Sequence, residues 1–183
     1  VVKEYKDLVC TPLGIVRDAN FFRNVKNIAV HTGHLATRID REKKVVAATD
    51  TASGEERLFP YDELVLATGA SPIRPPIPGN DLSRVFTLWT MPDAMAMKSA
   101  IDAGSVKSAV IIGGGLIGME VVEALVDRGI SVSVADIQPT PLPALIGEDF
   151  GLRVTKVLRQ KGVGFYGGEK VVEIIGESGV VTG

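Results

Sequence analysis

The stretch Ala109-Val110-Ile111-Ile112-Gly113-Gly114-Gly115-Leu116-Ile117-Gly118 decides how this chain of 183 residues is read. Four apolar residues in a row have the form of a buried strand. Residues 116–128 then read as a helix closed by Gly129, with Arg128 at its negative end. Residues 130–135 read as the next strand, and Asp136 ends it. Gly113-x-Gly115-x-x-Gly118 thus falls between a strand and a helix, the context in which its spacing has a mechanism. Gly113 permits the sharp turn, Gly115 leaves room for a pyrophosphate near the backbone, and Gly118 lets the helix pack on the strand. The start of the helix offers free N–H groups and a positive dipole end. Asp136 stands twenty-one residues beyond Gly115, where an acid accepts hydrogen bonds from ribose hydroxyls. Gly113, Gly115, Ile117, Gly118 and Asp136 are therefore candidates to hold a dinucleotide. Residues 137–140, Ile-Gln-Pro-Thr, carry no cation for a 2′-phosphate, so NAD(H) is expected over NADP(H).

Working outward, residues 149–161 read as a second helix stopped by Gly162, and residues 163–166 and 170–175 as strands. A strand–helix–strand unit implies a parallel sheet. Upstream, residues 91–103 read as a helix with Pro92 in its first turn and Gly104 past its end. Ser71-Pro72-Ile73-Arg74-Pro75-Pro76-Ile77-Pro78-Gly79 has four prolines and reads as a stiff extended crossing between two domains. Before it, residues 63–67 form a continuous apolar run, the pattern of a fully buried parallel strand. Residues 35–40 and 44–49, joined by a polar turn, and a third strand up to Phe59 read as an antiparallel meander. Residues 26–31 are a short strand candidate. The fold class is α/β, with a parallel sheet and a β-meander.

Composition sets limits. The chain is 45% hydrophobic and 23% charged, the balance of an ordinary globular protein. A net charge of −2 gives no electrostatic case for nucleic acid or an anionic membrane. No apolar run approaches the length of a transmembrane helix. The single cysteine, Cys10, excludes an intrachain disulfide, and with no basic leader visible a cytoplasmic location is expected. His31 and His34 have no further ligand nearby in sequence, so no metal site is expected.

The run Tyr61-Asp62-Glu63-Leu64-Val65-Leu66-Ala67-Thr68-Gly69-Ala70-Ser71-Pro72, followed by a Pro-x-x-Pro-Gly segment and then the glycine turn with Gly118-Met119-Glu120, resembles the flavin-dependent pyridine nucleotide–disulfide oxidoreductases. The branch with NADH oxidases, NADH peroxidases and coenzyme A–disulfide reductases looks most similar. Residues 38–45 and Phe86-Thr87-Leu88-Trp89 add to that impression. The resemblance implies a Rossmann-like FAD/NAD(P)-binding fold, with residues 1–80 a partial FAD-binding domain and 83–183 a C-terminally truncated NAD(P)-binding domain. It implies that Ala67, Thr68 and Gly69 pass beside the flavin. It also implies that Glu120 lies near the nicotinamide ring, although a Glu here is equally explained as a helix-terminal residue favoured by the dipole.

Two departures stand beside the match. No earlier Gly-x-Gly-x-x-Gly is present to hold the ADP half of FAD, and Val9-Cys10-Thr11-Pro12 does not match the redox-cysteine segment of that branch. The chain opens Val1-Val2-Lys3 and closes inside an apparent strand, and is expected to be an internal fragment. By itself it is expected to be colourless and inactive, with no catalytic residue of its own. The resemblance implies a parent enzyme that passes hydride from NADH to FAD and on to a small-molecule acceptor, a disulfide, peroxide, oxygen or sulfur. It implies a homodimer formed through a C-terminal domain. The alternative is a non-catalytic NAD-binding, redox-sensing module, against which the Ala67-Thr68-Gly69 strand weighs.

Overall fold

The computed structural model describes residues 9–182; residues 1–8, which open the expected first domain, and Gly183 lie outside them. The chain divides into two compact units, one ending at Gly69 and the other beginning at Ala70. The proline-rich segment groups with the second.

In the first unit, α1 spans Ala19–Lys26. The Asp18 side chain accepts from the Phe21 N–H at 2.8 Å, and Arg23 and Lys26 sit in the last turn, at the negative end of the dipole. The strand expected at 26–31 is not formed. The helix ends at Lys26, Asn27 takes a left-handed conformation to cap it, and the apolar centre at 28–30 has no pairing partner among the described residues. Phe21 and Val25, four apart behind an Asp N-cap, were the helical signal.

The meander forms as expected. Strands β1 (His34–Asp40), β2 (Val45–Asp50) and β3 (Glu56–Pro60) pair antiparallel in that order. His34 faces Asp50, and Val46 faces Phe59. Ala47 and Ala48 on the central strand are buried. Asp50 closes the second turn by accepting from the amides of Ala52 and Ser53.

The buried strand expected at 63–67 is absent. Val65 and Leu66 are exposed and residues 64–69 have no regular structure. A parallel strand exists only through hydrogen bonds to neighbours, and no described segment supplies them.

The second unit opens with residues 70–77, which have no regular structure. They are not simply extended. Ile77 N–H donates to the Pro75 carbonyl at 2.9 Å, and the Asn80 side chain donates to the same oxygen. Helix α2 (Met91–Asp102) starts at a capping box: Asp93 N–H meets the Thr90 hydroxyl while the Asp93 carboxylate accepts from the Thr90 N–H.

Then come β4 (Ser108–Ile112), α3 (Leu116–Val126), β5 (Ser131–Asp136), α4 (Glu148–Gln160) and β6 (Gly164–Gly167). The three strands are parallel, in the order β4-β5-β6. The core joins Val132 and Val134 of β5 and Phe165 of β6 to Val122 and Leu125 of α3 and Leu158 of α4. Ala109 and Ile111 of β4 pack against it, but Val110 and Ile112 point the other way and are exposed. The expectation of a wholly buried β4 is thus half right: one face meets helices and the other meets solvent.

The strand expected at 170–175 does not form. Instead a short hairpin follows, β7 (Gly176–Glu177) and β8 (Val180–Val181), closed through Ser178 and Gly179, both at positive φ as a type I′ turn requires. Ile174 N–H donates to the Pro78 carbonyl, and Val180 bridges Ser83. No helix among the described residues is long and apolar enough to cross a membrane.

Candidate functional site

At the end of β4 the backbone turns sharply into α3. Gly113 has φ +108°, a conformation that L side chains rarely adopt, and its N–H reaches across to the Ala135 carbonyl of β5 at 2.9 Å. Gly114 is buried against β6 and the loop after β5: a Cβ there would stand 3.0 Å from the Phe165 ring and 3.3 Å from Asp136 Oδ2. Gly115 is the N-cap of α3 and is the opposite case, exposed, with nothing within 4 Å of where its Cβ would be. A Cβ on Gly118 would overlap the Gly113 carbonyl oxygen, so this glycine lets the helix press onto the turn. The three motif glycines therefore differ in kind. Gly113 serves backbone conformation, Gly118 serves packing, and Gly115 leaves open space.

Asp136 closes the site from β5. Its Oδ2 accepts from the Gly114 N–H at 2.6 Å and its Oδ1 from the Gln138 N–H at 2.8 Å. The sequence placed this acid near the turn. It did not show that the carboxylate is bonded to the turn itself. Each oxygen keeps a further lone pair for a hydroxyl donor.

The first amides of α3 have no intrahelical acceptor, and the first backbone bond of the helix runs from Met119 N–H to the Gly115 carbonyl. Leu116 and Ile117, at the mouth of this turn, are exposed. Glu120 is exposed on the next turn of α3. Behind the site the chain is tied down: Glu169 N–H donates to the Asp136 carbonyl and Gly168 N–H to that of Gln138, both at 3.0 Å.

The structure brings Gly113, Gly115, Ile117, Gly118 and Asp136 together at one end of the parallel sheet. Ala67, Thr68 and Gly69 belong to the first unit, where they are exposed and Gly69 has φ +71°. In that unit the His31 ring lies tilted against that of Phe59, with centroids 4.8 Å apart, His34 Nδ1 bonds the Thr32 carbonyl, and His34 Nε2 is buried without a hydrogen-bond partner among the described residues. Cys10 is half-buried and bridges Val16. Sequence reasoning missed Gly114 and the loop from Thr140 to Leu142. Leu142 N–H donates to the Gly114 carbonyl at 2.8 Å, and the run Pro141-Leu142-Pro143 was the available signal.

Residues 4–183 match the family model described as pyridine nucleotide-disulphide oxidoreductase. The chain belongs to that family. It is 30% identical over 179 residues to an NADH oxidase of Methanocaldococcus jannaschii, covering 98% of this chain and 38% of that protein. An NAD-dependent persulfide reductase from A. fulgidus superposes with a TM-score of 0.89 at 35% identity, covering 97% of this chain and 32% of that one. A water-forming NADH oxidase from Lactobacillus brevis, solved with NADH bound, gives a TM-score of 0.70 at 31% identity over 79% of this chain and 32% of its own. Its engineered form, an NADPH oxidase solved with NADPH, gives 0.75 at 26% identity over 94% of this chain and 38% of that one. The chain spans about a third to two fifths of the length of these relatives.

Proposed function

We propose that this chain is the NADH-binding portion of a flavin-dependent oxidoreductase. The pairing of an open Gly115 with Asp136 beside it carries the reading: the chain leaves the space at the N-cap of α3 open and places a carboxylate acceptor at its edge. Residues 83–183 are the nicotinamide-nucleotide domain, and the first unit, which ends at Gly69, is part of the flavin domain.

The residues present fit a dinucleotide. The amides at the start of α3 bind the pyrophosphate, Gly115 lets it approach, and Asp136 takes the adenosine ribose hydroxyls. Ile117 lines the mouth of the turn, and Glu120 faces the nicotinamide side. When bound, the nicotinamide supplies a hydride; the protein supplies binding and orientation. Toward FAD the chain offers Ala67, Thr68 and Gly69 but no second phosphate turn. In the whole protein the electrons pass to a small-molecule acceptor.

NADH is preferred to NADPH. The engineered change of the Lactobacillus oxidase into an NADPH oxidase replaces a glycine and an aspartate eighteen residues apart and introduces two arginines. Gly118 and Asp136 are likewise eighteen residues apart, and residues 137–143 contain no arginine. Quenching of Trp89 fluorescence, or NADH fluorescence itself, on titration of the chain tests the reading. Saturable NADH binding that Gly115→Ala abolishes supports it, and binding indifferent to that substitution overturns it.

A further inference from the structure

We propose that Leu142 is a positioning residue for the phosphate turn, acting through the Gly114–Gly115 peptide. The proposal rests on the dinucleotide reading of that turn and goes beyond it.

The peptide on the N-terminal side of Gly114 is held by its N–H, which Asp136 Oδ2 accepts at 2.6 Å. The peptide on the C-terminal side is held by its carbonyl, which accepts from Leu142 N–H at 2.8 Å. In a planar trans peptide the C=O and the N–H point in opposite directions. Fixing the Gly114 carbonyl toward Leu142 therefore aims the Gly115 N–H away from the loop. The Gly115 N–H has no acceptor among the described residues, and Gly115, like Gly113, has open space where a Cβ would stand. Leu142 thus sets the direction of an amide that faces the phosphate.

Leu142 does this in a costly conformation. Its φ is +57°, in the left-handed region that a bulky L residue seldom takes. The surroundings over-determine it. Pro143 disfavours the right-handed helical region for the residue before it. Pro141 is fully buried and Thr140 nearly so. Thr140 packs where Gly151 of α4 has no side chain; a Cβ there would come 2.5 Å from Thr140 Oγ1. The Leu142 carbonyl accepts from the amides of both Leu145 and Ile146, at 2.9 and 3.1 Å. The loop is built to present one N–H to one carbonyl.

The test compares the parent chain with Leu142→Ile and Leu142→Asn. Isoleucine keeps size and apolarity but resists a left-handed backbone; asparagine loses the apolar side chain but tolerates that backbone. Leu142→Ile is expected to weaken NADH and NADPH alike by about tenfold, leaving their ratio unchanged, because both share the pyrophosphate. Leu142→Asn is expected to bind within about twofold of the parent. The Gly115 amide resonance should shift in the Ile variant and return in the Asn variant, which a purely structural role for the side chain would not produce. Equal affinities across all three chains overturn the proposal, as does Leu142→Asn binding as weakly as Leu142→Ile. Absence of dinucleotide binding by the parent chain overturns the reading on which the proposal rests.

Discussion

Two neighbouring glycines should respond to the same substitution in opposite ways. Gly114→Ala places a Cβ 3.0 Å from Phe165 Cε2 and 3.3 Å from Asp136 Oδ2, both closer than ordinary contact. Phe165 is a buried core residue, so the ring cannot yield freely. The carboxylate is already bonded to the Gly114 N–H, and moving it weakens a charge-assisted bond of roughly 1.5–3 kcal/mol. Overpacking adds about 1–3 kcal/mol, and the reduced freedom of the unfolded chain offsets about 0.4–1 kcal/mol. With partial relaxation the net loss is about 1–3 kcal/mol, or about 3–9 °C in unfolding midpoint for a chain of this size. Gly115→Ala meets nothing within 4 Å. Its φ of −76° and ψ of −173° suit alanine, so the midpoint should stay within about 2 °C while dinucleotide binding is lost. Trp89, the single tryptophan, lies in the second unit and reports its unfolding. An unchanged midpoint for Gly114→Ala, or a large drop for Gly115→Ala, would refute the division of labour between them.

Two other substitutions follow from the same geometry. The Thr90 backbone N–H holds the Asp93 carboxyl below its ordinary range, with the Thr90 hydroxyl adding to the effect. A lowered folded value means that the cap contributes in full above the ordinary aspartate pKa and is lost as pH falls through the folded one. Trp89 fluorescence, with the Trp89 backbone N–H also bonded to Asp93, should change below about pH 4, and Asp93→Asn should abolish that transition; a variant that keeps it would count against the cap. Gly79→Ala would drive a Cβ into the Ile174 carbonyl at a φ of +78°. It should cost about 1–3 kcal/mol and expose the Ile174 amide, bonded to Pro78, to hydrogen exchange; unchanged protection would show that the hairpin is anchored elsewhere.

Sequence carried the second unit further than the first. The turn from Gly113 to Gly118 and the acid at Asp136 were legible because each residue type answers to a local constraint. Gly113 needs its φ, Gly118 needs contact with the turn, and Asp136 ends a strand. The meander was legible from alternation and turn residues. Residues 63–67 and 170–175 misled because apolarity states what a segment can bury, not whether a partner strand is there to pair with it. Residues 26–31 misled in another way. The helix ahead of them ends at Lys26, and its left-handed cap at Asn27 leaves residues 28–30 without a strand partner. Leu142 escaped because nothing in its side chain advertises a role; only the flanking prolines and its backbone conformation do.

The central claim is that Gly113–Asp136 binds NADH and that Asp136 selects it. The most direct measurement is a parallel titration of NADH and NADPH into the chain and into Asp136→Ala. In the parent chain the carboxylate should accept from a 2′-hydroxyl and repel a 2′-phosphate, a difference of about 2–4 kcal/mol, so NADH should bind roughly 30- to 1000-fold more tightly. In Asp136→Ala that ratio should collapse toward one. Equal affinities in the parent chain, a preference for NADPH, or a ratio that survives the substitution would contradict the account.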